Sequence, residues 1–267
     1  MPVESDGIGL ALNTSSVLAH LPLLQQPAAA AAAGFDEIEL WWPYRGPEAT
    51  RREADELVAA VEEAGVRVGL LNFYGGDLSR GERGFTCQPG REDEFAAAMD
   101  GALRLGKRLG VRAFNPMYGL AIAGVSPDEQ ERTGVANLAL AAGKAGEIGA
   151  RVALEPLSGI PSYPLTTAAA TMRIVEKVRE TGSAAIGMLA DFYHLSHSDE
   201  DLIDVIRRYA RDFVRVQIAD APGRGHPGSG ELPLGTWLGA AREAGYDGPV
   251  GLEYFPEDPA VALGWLA

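Results

Sequence analysis

The sequence predicts an α/β protein folded as a single (β/α)8 TIM barrel over residues 1–267. Short β-rich runs alternate with helical stretches along the whole chain. Most runs are apolar and continuous, which is typical of strands buried on both faces of a parallel sheet. No proline-rich or glycine-rich linker divides the chain, so the repeats favour one closed barrel. The runs, in order, are IGLALN, EIELWW, RVGLLNFY, VRAFNP, RVALEP, AIGMLAD, FVRVQIAD and PVGLEYF.

The helical stretches carry an apolar stripe on one side. After the second run the stripe has the i, i+3, i+4, i+7 spacing of an amphipathic helix and consists of Ala54, Leu57, Val58 and Val61. Ser126 stands before Pro127 at the start of the fourth stretch, the order of an N-cap and a first-turn proline. Pro22 and Pro27 interrupt the first stretch, so we expect its helix to break or to begin late.

An open, doubly wound parallel sheet is the alternative fold. Sheets of that kind that bind dinucleotides carry a G-x-G-x-x-G motif after the first strand. This sequence has no such motif there, and the closed barrel is therefore favoured.

Composition and charge limit the partners and the cellular compartment that can be expected for this protein. The net charge of −14 and the pI of about 4.7 disfavour nucleic acid and anionic membranes as partners, since like charges repel. The single cysteine, Cys87, permits no internal disulfide, which fits a reducing compartment, and an unreactive loop thiol is its simplest interpretation. No apolar run approaches the roughly 18 residues of a membrane span, and the N-terminus lacks a signal-peptide pattern. We therefore expect a cytoplasmic protein, and a homo-oligomer stays open.

Polar side chains end the last four β-rich runs. Glu155, Asp191, Gln217 and Glu253 each lie near the end of a different run, roughly 30 residues apart, the length of one β/α unit. The carboxyl ends of barrel strands meet at one face, where barrel active sites are found. We therefore expect these four side chains to lie close together.

Three carboxylates and one amide in a small buried volume need a neutralising charge, because like charges repel strongly at low dielectric. A divalent cation supplies it, and a set of oxygen donors suits Mg²⁺ or Mn²⁺ better than zinc. The sequence therefore predicts a metal site formed by Glu155, Asp191, Gln217 and Glu253. The alternative is that each is an ordinary polar group at a strand end with its own hydrogen bonds.

Histidine and lysine positions add to this hypothesis. His194 follows Asp191 by three residues, and we expect it to donate a hydrogen bond to substrate rather than to bind the metal. A Schiff-base mechanism needs a buried amine at the site. The chain has three lysines, all in helical stretches away from the strand ends: Lys107, Lys144 and Lys177.

Several segments resemble the hydroxypyruvate isomerase family of the xylose isomerase-like barrel superfamily. They are ALEPL, DFYH, VQIADAPGR with GSGE, YDGPVGLEYFP and the loop GDLSRGERGFTCQPGREDEF. The resemblance covers nearly the whole chain and implies reversible interconversion of hydroxypyruvate and tartronate semialdehyde through an enediol. It implies that Glu155 and Glu253 are the catalytic acid/base pair as well as metal ligands. The segments LALNTSS and IELWWPY differ from the sequence pattern of the family, which leaves the exact substrate open.

Further contacts and alternatives follow from that chemistry. Arg224, in a glycine-rich loop, is the candidate partner of the substrate carboxylate, and Arg83 is either a second contact or a loop-stabilising residue. Glu39 points either to the pocket or to a neighbouring functional group.

A 2-oxo-tetronate isomerase or a ketose 3-epimerase of the same superfamily is the nearest alternative function. A non-catalytic barrel that binds a sugar acid is the alternative from a different class.

Overall fold

The computed structural model describes residues 9–259 and 262–266 and forms a closed barrel of eight parallel strands. Strand β1 pairs with β2, each following strand pairs with the next, and β8 pairs with β1. The predicted strands and their closure are confirmed, and the open sheet is wrong. Ile8, which begins the first predicted run, lies outside the described residues. The strands are β1 Leu10–Asn13, β2 Glu37–Leu40, β3 Arg67–Asn72, β4 Ala113–Asn115, β5 Arg151–Leu154, β6 Ile186–Asp191, β7 Phe213–Ile218 and β8 Val250–Leu252.

Helices follow the strands and pack outside the barrel. They are α1 Thr14–Val17, α2 Gln26–Ala32, α3 Arg51–Ala64, α4 Glu92–Leu109, α5 Pro127–Glu147, α6 Ala168–Glu180, α7 Phe192–Ser196, α8 Leu202–Tyr209 and α9 Leu234–Glu243. The first helical stretch is broken as expected, because α1 has one turn and α2 begins only at Gln26 with Pro27 in its first turn. Among the described residues, no helix combines the length and the apolar character needed to cross a membrane.

Helix ends show why these sequences start and stop where they do. Thr50 caps α3 by accepting from the Glu53 backbone, while the Glu53 side chain accepts from the Thr50 backbone. Gly65 ends the same helix with φ at 69°, a left-handed conformation that favours glycine. Ser126 caps α5 by accepting from Glu129. The apolar stripe predicted for α3 is buried, as the amphipathic spacing requires.

Two apolar regions hold the barrel. The larger one lies between the strands and the helices and contains most of the buried aliphatic and aromatic side chains. The smaller one consists of Leu70, Ala113, Ala153 and Leu189, one from each of β3 to β6. Each of these stands two residues before a polar residue at its strand end, so the apolar and polar members share one face of their strands. The small cluster therefore supports a polar layer at the carboxyl end of the barrel.

Candidate active site

A polar layer closes the carboxyl end of the barrel, with one member at or next to the end of every strand. The members are Asn13, Glu39, Asn72, Asn115, Glu155, Asp191, Gln217 and Glu253. None of them is more than 8% exposed. Buried polar side chains in such a layer must pair with one another or with a ligand. The layer is therefore the part of the molecule in which chemistry is expected.

The four predicted metal ligands all belong to this layer. Asp191 is the last residue of β6, and Gln217 pairs with it across the β6–β7 ladder. Glu155 and Glu253 directly follow β5 and β8, so Glu155 lies just past the strand in which the sequence pattern placed it. The β5–β6 pairing reaches only as far as Leu154, which explains the shorter strand.

Asp191, Glu253 and Arg224 form one ionic group. Nη2 of Arg224 donates to Oδ2 of Asp191 at 2.8 Å and to Oε2 of Glu253 at 2.5 Å. The guanidinium carbon also lies 5.2 Å from the ring centroid of Tyr193 and 5.6 Å from that of Phe255. Arg224 thus neutralises part of the negative charge. From the sequence, a divalent metal ion is expected to do so.

Glu155 and His194 also lie near Asp191. One potential metal-ligating atom from each of Glu155, Asp191 and His194 lies within 4.8 Å of the others, and all three residues are buried. This is a possible metal site, and it contains two of the four predicted ligands plus the predicted substrate contact. Glu253 joins Asp191 through Arg224 instead.

The Gln217 amide is bonded to Glu39 rather than to the other predicted ligands. Its Nε2 donates to Oε2 of Glu39 at 2.7 Å. Its Oε1 is buried and, within residues 9–259 and 262–266, has no hydrogen-bond partner. The structure therefore places Glu39 against Gln217, where the sequence left its direction open.

Asparagine and tryptophan side chains hold the two glutamates. Nδ2 of Asn115 donates to Oε2 of Glu155 at 2.7 Å. Nδ2 of Asn13 and Nε1 of Trp41 donate to Oε1 of Glu253 at 2.9 and 2.7 Å. Sequence reasoning missed these three donors. The two asparagines could have been found because each ends a strand, as Asp191 does.

Burial changes the proton affinities of the site. It raises the pKa of Glu155 well above its usual range, and the charges of Glu253 and Asp191 act in the same direction. Burial also raises the pKa of Glu253 to about 7, although the nearby Arg224 opposes the shift. The pKa of His194 is lowered to about 4 by burial, so its imidazole is neutral at pH 7.

The contact of His194 with Ser158 fixes where its proton lies. The backbone N–H of Ser158 donates to Nδ1 of His194 at 3.1 Å. Because an amide N–H can only donate, Nδ1 must accept, and the single proton of the neutral imidazole is on Nε2. Nε2 lies 3.7 Å from Oδ2 of Asp191, and His194 lines the cavity above the layer. His194 therefore offers a hydrogen-bond donor to the site.

A cavity of about 1070 Å³ opens above the polar layer. Glu155, His194, Arg224 and Glu253 line it, together with aromatic residues and the loop after β3. Arg83 also lines the cavity, and its Nη1 donates to the carbonyl oxygens of Leu78 and Glu82, so it binds its own loop. The layer is therefore open to a small molecule from the carboxyl end of the barrel.

The chain belongs to the xylose isomerase-like TIM barrel family, whose model matches residues 27–266. A Streptomyces coelicolor protein provisionally named a hydroxypyruvate isomerase is 47% identical over 96% of this chain and 94% of its own. The 2-oxo-tetronate isomerase of Haemophilus influenzae is 32% identical, with 96% and 97% covered. The hydroxypyruvate isomerase of Escherichia coli is 30% identical, with 95% and 96% covered. These relatives support isomerase activity.

The solved structures agree on the fold. A crystal structure from Brucella melitensis, titled AP endonuclease, family 2, matches with a TM-score of 0.88 and 30% identity. The match covers 97% of this chain and 98% of that chain. The resemblance seen in the sequence motifs is thus confirmed at the level of family and barrel.

Proposed function

We propose that this protein is a divalent-metal-dependent isomerase that interconverts hydroxypyruvate and tartronate semialdehyde. The observation that carries the proposal is the convergence of Glu155, Asp191 and Glu253 at the open end of a closed barrel. The names of the relatives support the substrate class. The two compounds differ in the position of a carbonyl on neighbouring carbons, so the reaction needs proton transfer and no external oxidant.

The residues proposed to hold the metal are Glu155, Asp191, Gln217 and Glu253. Two features support the fit. One guanidinium, that of Arg224, pairs with Asp191 and Glu253, and Glu155 lies beside Asp191, so the negative charge of the ionised site is not fully compensated. A buried carbonyl oxygen without a partner is unfavourable, and Oε1 of Gln217 is one, considering the described residues. Oxygen donors suit Mg²⁺ or Mn²⁺, which when bound would polarise the substrate carbonyl and stabilise developing negative charge.

Glu155 and Glu253 are the proposed acid/base pair. Both line the cavity, and their hydrogen-bond donors hold them in fixed orientations. One carboxylate would take a proton from the hydroxymethyl carbon of hydroxypyruvate, which yields an enediolate with its charge on the former carbonyl oxygen. The other would return a proton to the former carbonyl carbon, and the hydroxyl proton would move from the one oxygen to its neighbour, so that no proton is gained or lost overall. Positioned groups of this kind contribute about 10²–10⁴-fold to a rate.

His194 and Arg224 are the proposed substrate contacts. The Nε2–H of His194 would donate to a substrate oxygen, in agreement with the direction of its bond to Ser158. Arg224 would bind the substrate carboxylate. Its Nε is buried and, in the described part of the chain, has no hydrogen-bond partner, so a donor remains for an anion.

The test is turnover of hydroxypyruvate by protein treated with a chelator, before and after Mg²⁺ or Mn²⁺ is restored. We expect activity to disappear with the chelator and to return with the ion.

A second test is the variant Glu253→Gln, which should lower kcat by at least about 100-fold, since proton transfer is lost. Glu62→Gln, on the exposed side of α3, is the matched control and should have the kcat of the unchanged protein. Full activity in chelator, or normal turnover by Glu253→Gln, would refute the proposal.

A 2-oxo-tetronate isomerase is the second candidate, because the cavity has room for a substrate longer than hydroxypyruvate. Cavities of about 300–1,000 Å³ hold drug-sized ligands. A three-carbon acid would fill little of the volume found here, and Arg45 and Arg83 also line it. Comparison of kcat/KM for hydroxypyruvate, 2-oxo-tetronate and free ketoses distinguishes the candidates. Activity on ketoses alone would indicate a 3-epimerase, and binding of a sugar acid without turnover would indicate a non-catalytic barrel.

A further inference from the structure

We infer that Glu39 is a positioning residue that orients the Gln217 amide so that its carbonyl oxygen faces the proposed metal ion. The inference rests on the proposed function, in which Gln217 is a ligand. Both residues lie in the polar layer, with Glu39 0% and Gln217 2% exposed. Bulk water therefore does not reach either side chain.

Arg215 fixes the position of the Glu39 carboxyl group. Nε of Arg215 donates to Oε1 of Glu39, and Nη1 of the same guanidinium donates to Oε1 of Glu37 at 2.6 Å. A guanidinium has only donors, so Oε1 of Glu39 accepts in this contact. The second oxygen of Glu39, Oε2, is the one that contacts Nε2 of Gln217 at 2.7 Å.

The direction of the Gln217 amide follows from this ion pair. A carboxylate can only accept hydrogen bonds, whereas an amide has one donating and one accepting end. The nitrogen of Gln217 must therefore face Glu39, and the carbonyl oxygen must point away from it. Because Gln217 and Asp191 are paired across neighbouring strands, its side chain is at the level of the carboxylates. Oε1 is left without a partner among the described residues, as a ligand oxygen would be.

The absence of a side chain at Gly251 leaves room for the Glu39 carboxylate. Gly251 pairs with Gln217 in the β7–β8 ladder. A Cβ atom at position 251 would lie 2.4 Å from Oε1 and 2.5 Å from Oε2 of Glu39, which is closer than such atoms approach. The missing side chain at Gly251 thus lets the carboxylate reach Gln217 inside the barrel.

The test compares the affinity for Mn²⁺ of Glu39→Gln and Glu37→Gln by isothermal titration. A glutamine at 39 can donate as well as accept, so the Gln217 amide is free to turn its nitrogen toward the ion. We expect affinity to fall by about 10-fold or more, as is typical when a partner of a metal ligand is changed. Glu37→Gln is the matched control, because it removes the other carboxylate from Arg215 without touching Gln217, and its affinity should be unchanged.

A double-mutant cycle separates orientation from simple charge. If Glu39 acts through the amide, Glu39→Gln should have no further effect on Mn²⁺ affinity once Gln217→Ala is present. If Glu39 acts only as a negative charge, the loss will be the same in both backgrounds, and the inference is wrong. Affinity of Glu39→Gln equal to that of the unchanged protein also overturns it.

A measurement on the unchanged protein covers the case in which Glu39→Gln does not fold. The side-chain NH₂ of Gln217, followed by ¹⁵N NMR with Mg²⁺, should stay protected from exchange while its carbonyl carbon shifts. Loss of protection on binding would overturn the inference while leaving metal dependence intact. If the unchanged protein binds no divalent ion at all, both the proposed function and this inference fail.

Discussion

At the scale of single residues, groups that can only donate or only accept determine what their neighbours offer to the cavity. The backbone N–H of Ser158 leaves the proton of His194 on Nε2. The carboxylate of Glu39 leaves the oxygen of Gln217 free. In both cases the chemically useful atom is identified by the bond made at the opposite end of the side chain. His194 is thus expected to bind substrate and Gln217 to bind metal.

This assignment can be tested at His194. His194→Ala should lower kcat/KM by at least about tenfold, because a hydrogen bond worth about 1.4 kcal/mol is lost to the substrate. His194→Gln, which keeps a donor, should lose less. Titration with Mn²⁺ should give the same affinity for both variants as for the unchanged protein. If affinity for Mn²⁺ falls together with activity, His194 is a ligand and the assignment is wrong.

At the scale of elements, the loop after β7 carries Arg224 to the carboxylates. Arg224 has a φ of 56°, which is uncommon for a residue other than glycine and is maintained only when its surroundings impose it. Asp220 supplies part of that support. Its carboxylate accepts from the backbone N–H groups of Ala221, Gly228 and Leu232 at 2.9, 2.9 and 3.0 Å. The loop is therefore built around one buried acid.

Asp220→Asn should loosen this loop. An asparagine accepts through only one of its two terminal atoms, so at least one backbone N–H loses its partner. We expect the free energy of unfolding to fall by about 1–3 kcal/mol and kcat/KM to fall as Arg224 loses its position. Denaturant unfolding and steady-state kinetics measure the two effects. Asp247→Asn, on an exposed residue, is the control, and equal kcat/KM for both variants would contradict the role of Asp220.

The elements also show what the sequence could and could not foretell. Continuous apolar runs predicted the eight strands, and caps and apolar stripes predicted helices between them, because those patterns depend on neighbours in the chain. The sequence could place Glu155, Asp191, Gln217 and Glu253 at the carboxyl end of the barrel because polar residues interrupt such runs at repeat spacing. Hydrogen bonds between strands far apart in the chain, such as that from Asn13 to Glu253, depend on closure and leave no local pattern.

At the scale of the whole molecule, closure of the barrel assembles the site from both ends of the chain. The β1–β8 ladder pairs Leu10 with Val250, which brings Asn13 to Glu253. Burial of these acidic groups destabilises their ionised forms and raises the pKa of Glu155 and Glu253. The stability of the metal-free protein should therefore depend on pH through these two glutamates.

The sign follows from the direction of the shifts. Unfolded His194 has an ordinary pKa of about 6.5, so below about pH 7.5 it still holds part of a proton that folded His194 lacks, and this partly offsets the effect of the two glutamates. The folded-state pKa of Glu253 is about 7 and that of Glu155 lies well above 4.5, so the folded protein holds protons that the unfolded chain has released. The free energy of unfolding should therefore fall as pH rises from about 6.5 to 8 in chelator. Denaturant titrations check this, and Glu253→Gln should show a shallower fall. Stability that is flat or rises over this range would contradict the shifts.

The most direct measurement of the central claim is anomalous diffraction at the manganese edge from crystals grown with Mn²⁺. We expect one strong peak at the carboxyl end of the barrel, within coordination distance of oxygens of Glu155, Asp191, Gln217 and Glu253. Arg224 should then no longer bridge Asp191 and Glu253. A peak elsewhere, or an Arg224 bridge that persists with no manganese between the carboxylates, would contradict the proposed metal site.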